Sequence, residues 1–130
     1  MNKKKLYLKL KKIFRKYGLS EKHSKICTKY LIKAEIIQAK SHGLARLKMY
    51  CDRLKHKVIN PRPKIKIKKI SSSISYVDAD NSIGFVAADL GINLAIKNAK
   101  KKGIGLVAIK KSGHYGLSSF YAEQAVKKKL

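Results

Sequence analysis

The chain has 130 residues, 45% of them apolar, and its 32 lysines and arginines face only seven acids, for a net charge of +25. That length suits one domain of ordinary size, and the apolar share excludes an intrinsically disordered chain. No uninterrupted apolar run approaches the roughly 20 residues of a membrane span, and lysines break Met1 to Phe14 where a secretory signal needs its apolar centre.

Leu6, Leu10, Ile13, Phe14 and Tyr17 recur at helical spacing, and Gly18 offers a left-handed stop. Ser20 is placed to cap a second helix, whose apolar face is Ile26, Cys27, Tyr30, Leu31, Ala34 and Ile37. A third helix is expected from Ser41 to about Lys55. Asn60-Pro61-Arg62-Pro63 ends helical structure and acts as a linker. The period then changes. Ile65 and Ile67 alternate with lysines, the pattern of a half-buried strand. Ser71-Ser72-Ser73 marks a turn, Ile74 to Val77 a second short strand, and Asp78-Ala79-Asp80-Asn81 carries turn chemistry. Helical spacing returns from Ser82 to Lys102 through Phe85, Ala88, Ile92, Ala95, Ile96 and Ala99, and Gly103 stops it. Ile104 to Ile109 is almost wholly apolar, which predicts a strand buried on both faces. Ser112 to Gly116 reads as a loop, and a last helix starts near Leu117 with no stop signal before Leu130. One buried strand with two weak partners makes an incomplete sheet, so the architecture is expected to be α+β and cut short.

The charge has two readings. It suits nucleic acid or an anionic membrane surface. It also suits the codon bias of an AT-rich genome, because lysine dominates, isoleucine is abundant, and only Arg15, Arg46, Arg53 and Arg62 are arginines. Solvated helix faces accept such lysines at little cost. Cys27 and Cys51 have no paired spacing and are expected as reduced, partly buried thiols of a cytoplasmic protein. His23, His42, His56 and His114 show no metal-ligand spacing, so no metal is expected.

On a continuous helix from Ser41 to Lys55, Leu44, Leu47, Cys51 and Leu54 share one side, while His42, Arg46, Met49, Tyr50 and Arg53 share the other. A guanidinium such as Arg46 grips a carboxylate at two points, and His42 and Tyr50 would add hydrogen bonds to the same ligand. The same face also reads as the polar side of an ordinary amphipathic helix. His114 follows the apolar run at a strand end, between two glycines, where a rigid sheet aims side chains. Its imidazole suits acid–base work, and equally a surface loop. Gly103-Ile104-Gly105 precedes a strand and is not G-x-G-x-x-G, so it carries no dinucleotide fingerprint. The Lys64 to Lys69 run lacks the interleaved aromatics of a single-strand binding platform.

Four motifs in order resemble the malate/L-lactate dehydrogenase family: Ser41-His42-Gly43-Leu44-Ala45-Arg46 through Tyr50 with Ile59-Asn60-Pro61 after it, Val77-Asp78-Ala79-Asp80-Asn81-Ser82-Ile83-Gly84, Gly103-Ile104-Gly105-Leu106-Val107-Ala108, and Ser112-Gly113-His114-Tyr115-Gly116. The likeness runs from about Leu6 to Leu130. It implies N-terminal helices followed by the start of a non-Rossmann mixed sheet with flanking helices. The organisation implied is a helical region over residues 1–60 and the beginning of a nicotinamide-cofactor-binding α/β domain over 61–130. It also implies NAD or NADP as cofactor, a small 2-hydroxy or 2-keto acid as substrate, and a homodimer when complete. His114 would exchange a proton with the substrate hydroxyl, and Ser41, His42 and Arg46, with Tyr50 nearby, would line the substrate pocket, Arg46 holding the carboxylate. The sequence departs from the family pattern at Gln38, where a glycine is expected, at Phe85, where a polar residue is usual, and at Lys110-Lys111, in place of an Arg-Asn pair. Both lysines adjoin His114. Family members are more than twice this long, so no cofactor-binding residue is named here, and the chain alone is expected to be inactive.

Two other functions compete with this one: a small basic nucleic-acid-binding protein and a remnant with no function of its own. The first makes a testable contrast. If the charge is solvated surface, DNA binding at low salt should vanish near physiological salt, where nonspecific dissociation constants are only on the order of 10⁻⁴–10⁻⁶ M. Nanomolar, sequence-selective binding at that salt would overturn the dehydrogenase reading.

Overall fold

The structure is a computed structural model that describes residues 2–130. It divides into two compact units, Met1–Arg62 and Pro63–Leu130. Among the described residues, no helix is long and apolar enough to cross a membrane.

The first unit is helical. Helix α1 spans Lys3–Lys16 and α2 spans Glu21–Ile36, with Ser20 accepting a hydrogen bond from His23 N at 3.1 Å as its N-cap. Leu10, Phe14, Cys27, Tyr30, Leu31 and Ala34 are buried. The expected face of α2 is shifted by part of a turn: Ile37 is exposed, and Ser24 and Thr28 are buried instead. The expected third helix is broken. Two 3₁₀ turns, Lys40–His42 and Leu44–Arg46, precede α3 at Leu47–Lys55, and Gly43 separates them at φ -94° and ψ -136°, outside the helical region.

Four helix ends share one closing arrangement, the fourth at Lys129. At Gly18, Gln38 and Lys57 the chain turns left-handed, with φ of 93°, 58° and 58°. In each case the residue's own N–H bonds back three positions, and the next N–H bonds back five: Leu19 to Phe14, Ala39 to Ala34, Val58 to Arg53. This is the Schellman motif, in which glycine is favoured because a Cβ is costly there. The departure at Gln38 thus has a physical content.

The second unit holds a mixed sheet of order β1-β2-β3. Strand β1 (Lys66–Lys69) pairs antiparallel with β2 (Ile74–Ser82), and β2 pairs parallel with β3 (Leu106–Ser112). Helix α4 (Gly84–Lys102) connects the parallel pair, and α5 (Ser119–Val126) follows β3. Strand β1 is exposed along its whole length instead of half-buried, because it is an edge.

The centre of the sheet is β2, not the apolar run after Gly103. Ser75, Val77, Ala79 and Ser82 are buried, whereas Ile104 and Leu106 are 66% and 57% exposed. Strand β2 has a neighbour on each side. Exposure on β3 alternates: Val107 and Ile109, against Gly91 of α4, are half-buried, and Leu106 and Ala108 on the other face are exposed. The Asp78 to Asn81 turn chemistry is spent inside β2. Asp80 and Asn81 have φ of 50° and 54°, and the register shifts between Asp78 and Ser82, as in a bulge. Gly103 ends α4 at φ 80°, as expected. Helix α5 does close, at Val126, through a left-handed Lys129 and a bond from Leu130 N to Ala125 O, against the expectation of an unstopped helix.

Replacing Gln38 or Lys57 by glycine should therefore stabilise the chain, each by roughly 0.5–1 kcal/mol once the greater freedom of unfolded glycine is subtracted. Thermal melts followed by circular dichroism check this. A lower midpoint for Gln38→Gly would show that its left-handed conformation carries no cost.

Candidate active site

In the first unit the Ser-His-Gly segment is held from below by a carboxylate. Glu35, in the last turn of α2, accepts a hydrogen bond from Leu44 N at 2.6 Å. A Cβ at Gly43 would overlap that carboxyl group, so a larger residue there would have to displace the Glu35 side chain. This clamp explains why the segment folds as two short turns with a break. Ser41 Oγ lies 2.9 Å from His42 Nδ1. Arg46 is exposed, and its Nε donates to Ser41 O at 2.7 Å. Among the described residues, no hydrogen bond engages its two terminal nitrogens. The structure thus joins Ser41, His42 and Arg46 through the backbone of the turn. The expected shared helical face does not exist, because His42 and Arg46 precede the α-helix.

Tyr50 departs further from expectation. It is 1% exposed, with the buried residues of the first unit and not on an open polar face. Burial pushes its phenol well above the ordinary range, with Cys27 adding to the rise and Arg46 and Arg53 opposing it. A phenol so raised stays protonated at any physiological pH and acts only as a neutral hydrogen-bonding group. Cys27 and Cys51 are buried thiols that form no disulfide among the described residues, and burial raises the Cys51 thiol.

In the second unit, His114 lies in the loop between β3 and α5 and is half-buried. Its Nδ1 is 3.4 Å from Gly116 N, which donates to it. The loop rests against the start of α4: a Cβ at Gly84 would overlap the carbonyl oxygens of Gly113 and His114. On the other side, Tyr121 Oη donates to Tyr115 O at 2.6 Å, and the two rings meet edge to face at 5.7 Å. Lys110 and Lys111, which flank His114 in sequence, are directed onto Asp78, each at 3.4 Å. Lys111 has φ 52°, a conformation that asparagine tolerates better than lysine. A mostly apolar groove of about 510 Å³ runs between α4 and β3 and reaches Gly113, Tyr115 and Tyr121. Phe85, the other departure, is 1% exposed, filling space beneath Gly116.

Sequence reasoning missed Glu35 and Tyr121, and had Gly84 only as the end of a motif, with no role. The signal for Glu35 was scarcity: an acid placed nine residues ahead of an N–H, in a chain with seven acids, warrants a search for its partner. Among the described residues, no group of three or more metal-ligating side chains converges. Gly103 and Gly105 serve the helix stop and the entry to β3, where a Cβ at Gly105 would overlap the Ala95 carbonyl.

A family model described as malate/L-lactate dehydrogenase matches residues 1–130. The L-sulfolactate dehydrogenase of Methanocaldococcus jannaschii is 36% identical over 125 residues, covering 96% of this chain and 36% of that protein. The ureidoglycolate dehydrogenase (NAD(+)) of Escherichia coli K12 is 31% identical over 110 residues, covering 85% of this chain and 32% of that protein. The solved malate dehydrogenase of Pyrococcus horikoshii superposes with a TM-score of 0.94 at 34% identity, covering 98% of this chain and 37% of that one. The chain therefore spans about a third of the length of the relatives it matches.

The clamp on the Gly43–Leu44 turn can be tested directly. Glu35→Ala should cost about 1.5–3 kcal/mol, the usual worth of a hydrogen bond to a charged group, whereas Glu35→Gln should keep a carbonyl acceptor and lose less. Urea unfolding of the three proteins gives the comparison. Equal stability of Glu35→Ala and the parent would remove the clamp from the account.

Proposed function

Because the chain belongs to the malate/L-lactate dehydrogenase family, we propose that it supplies the substrate-handling residues of an oxidoreductase that interconverts a 2-hydroxy acid and a 2-keto acid with NAD or NADP. The observation that carries this reading is Arg46. Its Nε is committed to the Ser41 carbonyl, so the guanidinium is oriented while its terminal edge stays available. That edge is the part that matches a carboxylate in the two-point geometry. A 2-hydroxy acid presents such a carboxylate beside the carbon that is oxidised.

The remaining roles follow residue by residue. His114 takes the hydroxyl proton during oxidation and returns it during reduction. Its loop has a fixed backbone, and an imidazole titrates in the range that proton exchange requires. His42, paired with Ser41, hydrogen-bonds the same substrate. Tyr50 is assigned a supporting part as a buried neutral phenol beneath Arg46, not direct contact. No residue of this chain is assigned to the cofactor, and the relatives named for malate, sulfolactate and ureidoglycolate leave the hydroxyacid as a class.

Two experiments test the reading. The 130-residue chain alone, given NAD or NADP and malate, lactate, sulfolactate or ureidoglycolate, should give no reduced nicotinamide by absorbance. In a chain completed with the remaining two-thirds of a relative, His114→Ala should lower kcat roughly 10²–10⁴-fold. Arg46→Lys should mainly raise KM, because an ammonium cannot reproduce the two-point grip. Near-normal kcat for His114→Ala would move the proton to another group, with His42 next to be examined.

A further inference from the structure

His114 sits on a loop, and loops are a poor way to fix a side chain unless something holds them. Two contacts do so here, from opposite sides. The start of α4 meets the loop where Gly84 leaves no room for a Cβ beside the Gly113 and His114 carbonyls. These oxygens lie by the first turn of a 19-residue helix, the positive end of its dipole. The second contact is Tyr121. It is 7% exposed, and its phenol donates to the Tyr115 carbonyl at 2.6 Å, one residue after His114. Gly116, on the far side of that carbonyl, turns left-handed at φ 81° and lies against the Phe85 ring.

A buried tyrosine hydroxyl needs a partner, and a loop carbonyl is a common one. Two features make this bond more than a satisfied hydroxyl. It ties α5 to the peptide that adjoins the imidazole, and the Tyr115 ring is held edge-on against Tyr121 itself. Gly116, the residue that follows the clamped carbonyl, donates its N–H to the imidazole Nδ1. Movement of that carbonyl would therefore carry the Gly116 N–H away from the ring.

We propose that Tyr121 is a positioning residue for His114, fixing the imidazole by clamping the Tyr115 carbonyl. The inference rests on the reading of His114 as the proton-exchanging group, but its test does not. In the 130-residue chain labelled with ¹⁵N-histidine, the imidazole signals are recorded at fixed pH and assigned by His114→Gln. Tyr121→Phe keeps the ring and removes the hydroxyl that makes the bond. It should shift or broaden the His114 signals while those of His23 and His56 stay in place. Gly84→Ala, pressing on the same loop from α4, should move the same signals. Ser118→Ala, which touches the Tyr115 phenol at 3.4 Å and not its carbonyl, should move none of them. Unchanged His114 signals in Tyr121→Phe overturn the proposal, as does a Ser118→Ala shift of equal size. If the signals move but His114→Ala proves catalytically normal in a completed chain, the clamp stands and the proton-exchange reading falls.

Discussion

The parallel pairing of β2 with β3 is the constraint on which the second unit depends. Parallel strands finish at the same end of a sheet. Ser82 at the end of β2 is paired with Ser112 at the end of β3. The residues just beyond them, Gly84 at the start of α4 and Gly113-His114 in the following loop, are thereby forced into contact. That contact leaves no space for a Cβ at Gly84, and it gives the His114 backbone its seat. Ends of parallel strands are where open α/β sheets place their ligands. Here the reason is visible in the chain: two segments from distant positions are brought to one place with fixed direction.

The chain's few acids are used with economy. Glu21 pairs with Lys11 and Lys25, Asp52 with Lys48, and Glu123 with Lys127, all partly solvated pairs of the kind that contribute little individually. Glu35 and Asp80 do something else. They accept backbone N–H groups, from Leu44 and from Lys64, and so decide where the chain turns. Asp78 does both, accepting from Asp80 N and drawing Lys110 and Lys111 toward it, which holds its carboxyl below the usual range, the backbone bond contributing most. The lysine excess lies mostly on exposed positions and leaves this small set of structural carboxylates intact.

The helices were legible because their ends carry local chemistry. Gly18, Ser20 and Gly103 do what their residue types predict, with φ and hydrogen bonds that match. The sheet was misread because hydrophobicity and burial part company there. The inner residues of β2 are Ser75, Val77, Ala79 and Ser82, small or polar, and the run through Asp78 to Asn81 looks like a turn while forming a bulge. Ile104 to Ile109 looks central but lies at the edge. The site was half legible. Its residue types and the His114 loop could be picked out, but the helical wheel that grouped His42, Arg46 and Tyr50 fails at Gly43, because a carboxylate from α2 breaks the helix there. Tertiary contacts of that kind leave no periodic trace. The odd residues at 38 and 111 became intelligible only once their left-handed φ was known.

The crossover through α4 also sets an order of assembly. Strand β1 meets β2 by a short hairpin, Lys69 opposite Ser75, whereas Ser75 finds Val107 only after the whole of α4 has been laid between them. Closing the larger loop costs more chain entropy, and contacts of long sequence separation form late. The hairpin and α4 are therefore expected to form early in this unit, with β3 added to them. The imidazole loop, which follows β3 directly, would take its seat when that strand docks. In kinetic terms, the segment with the most chemistry is expected to be among the last of this unit to be seated.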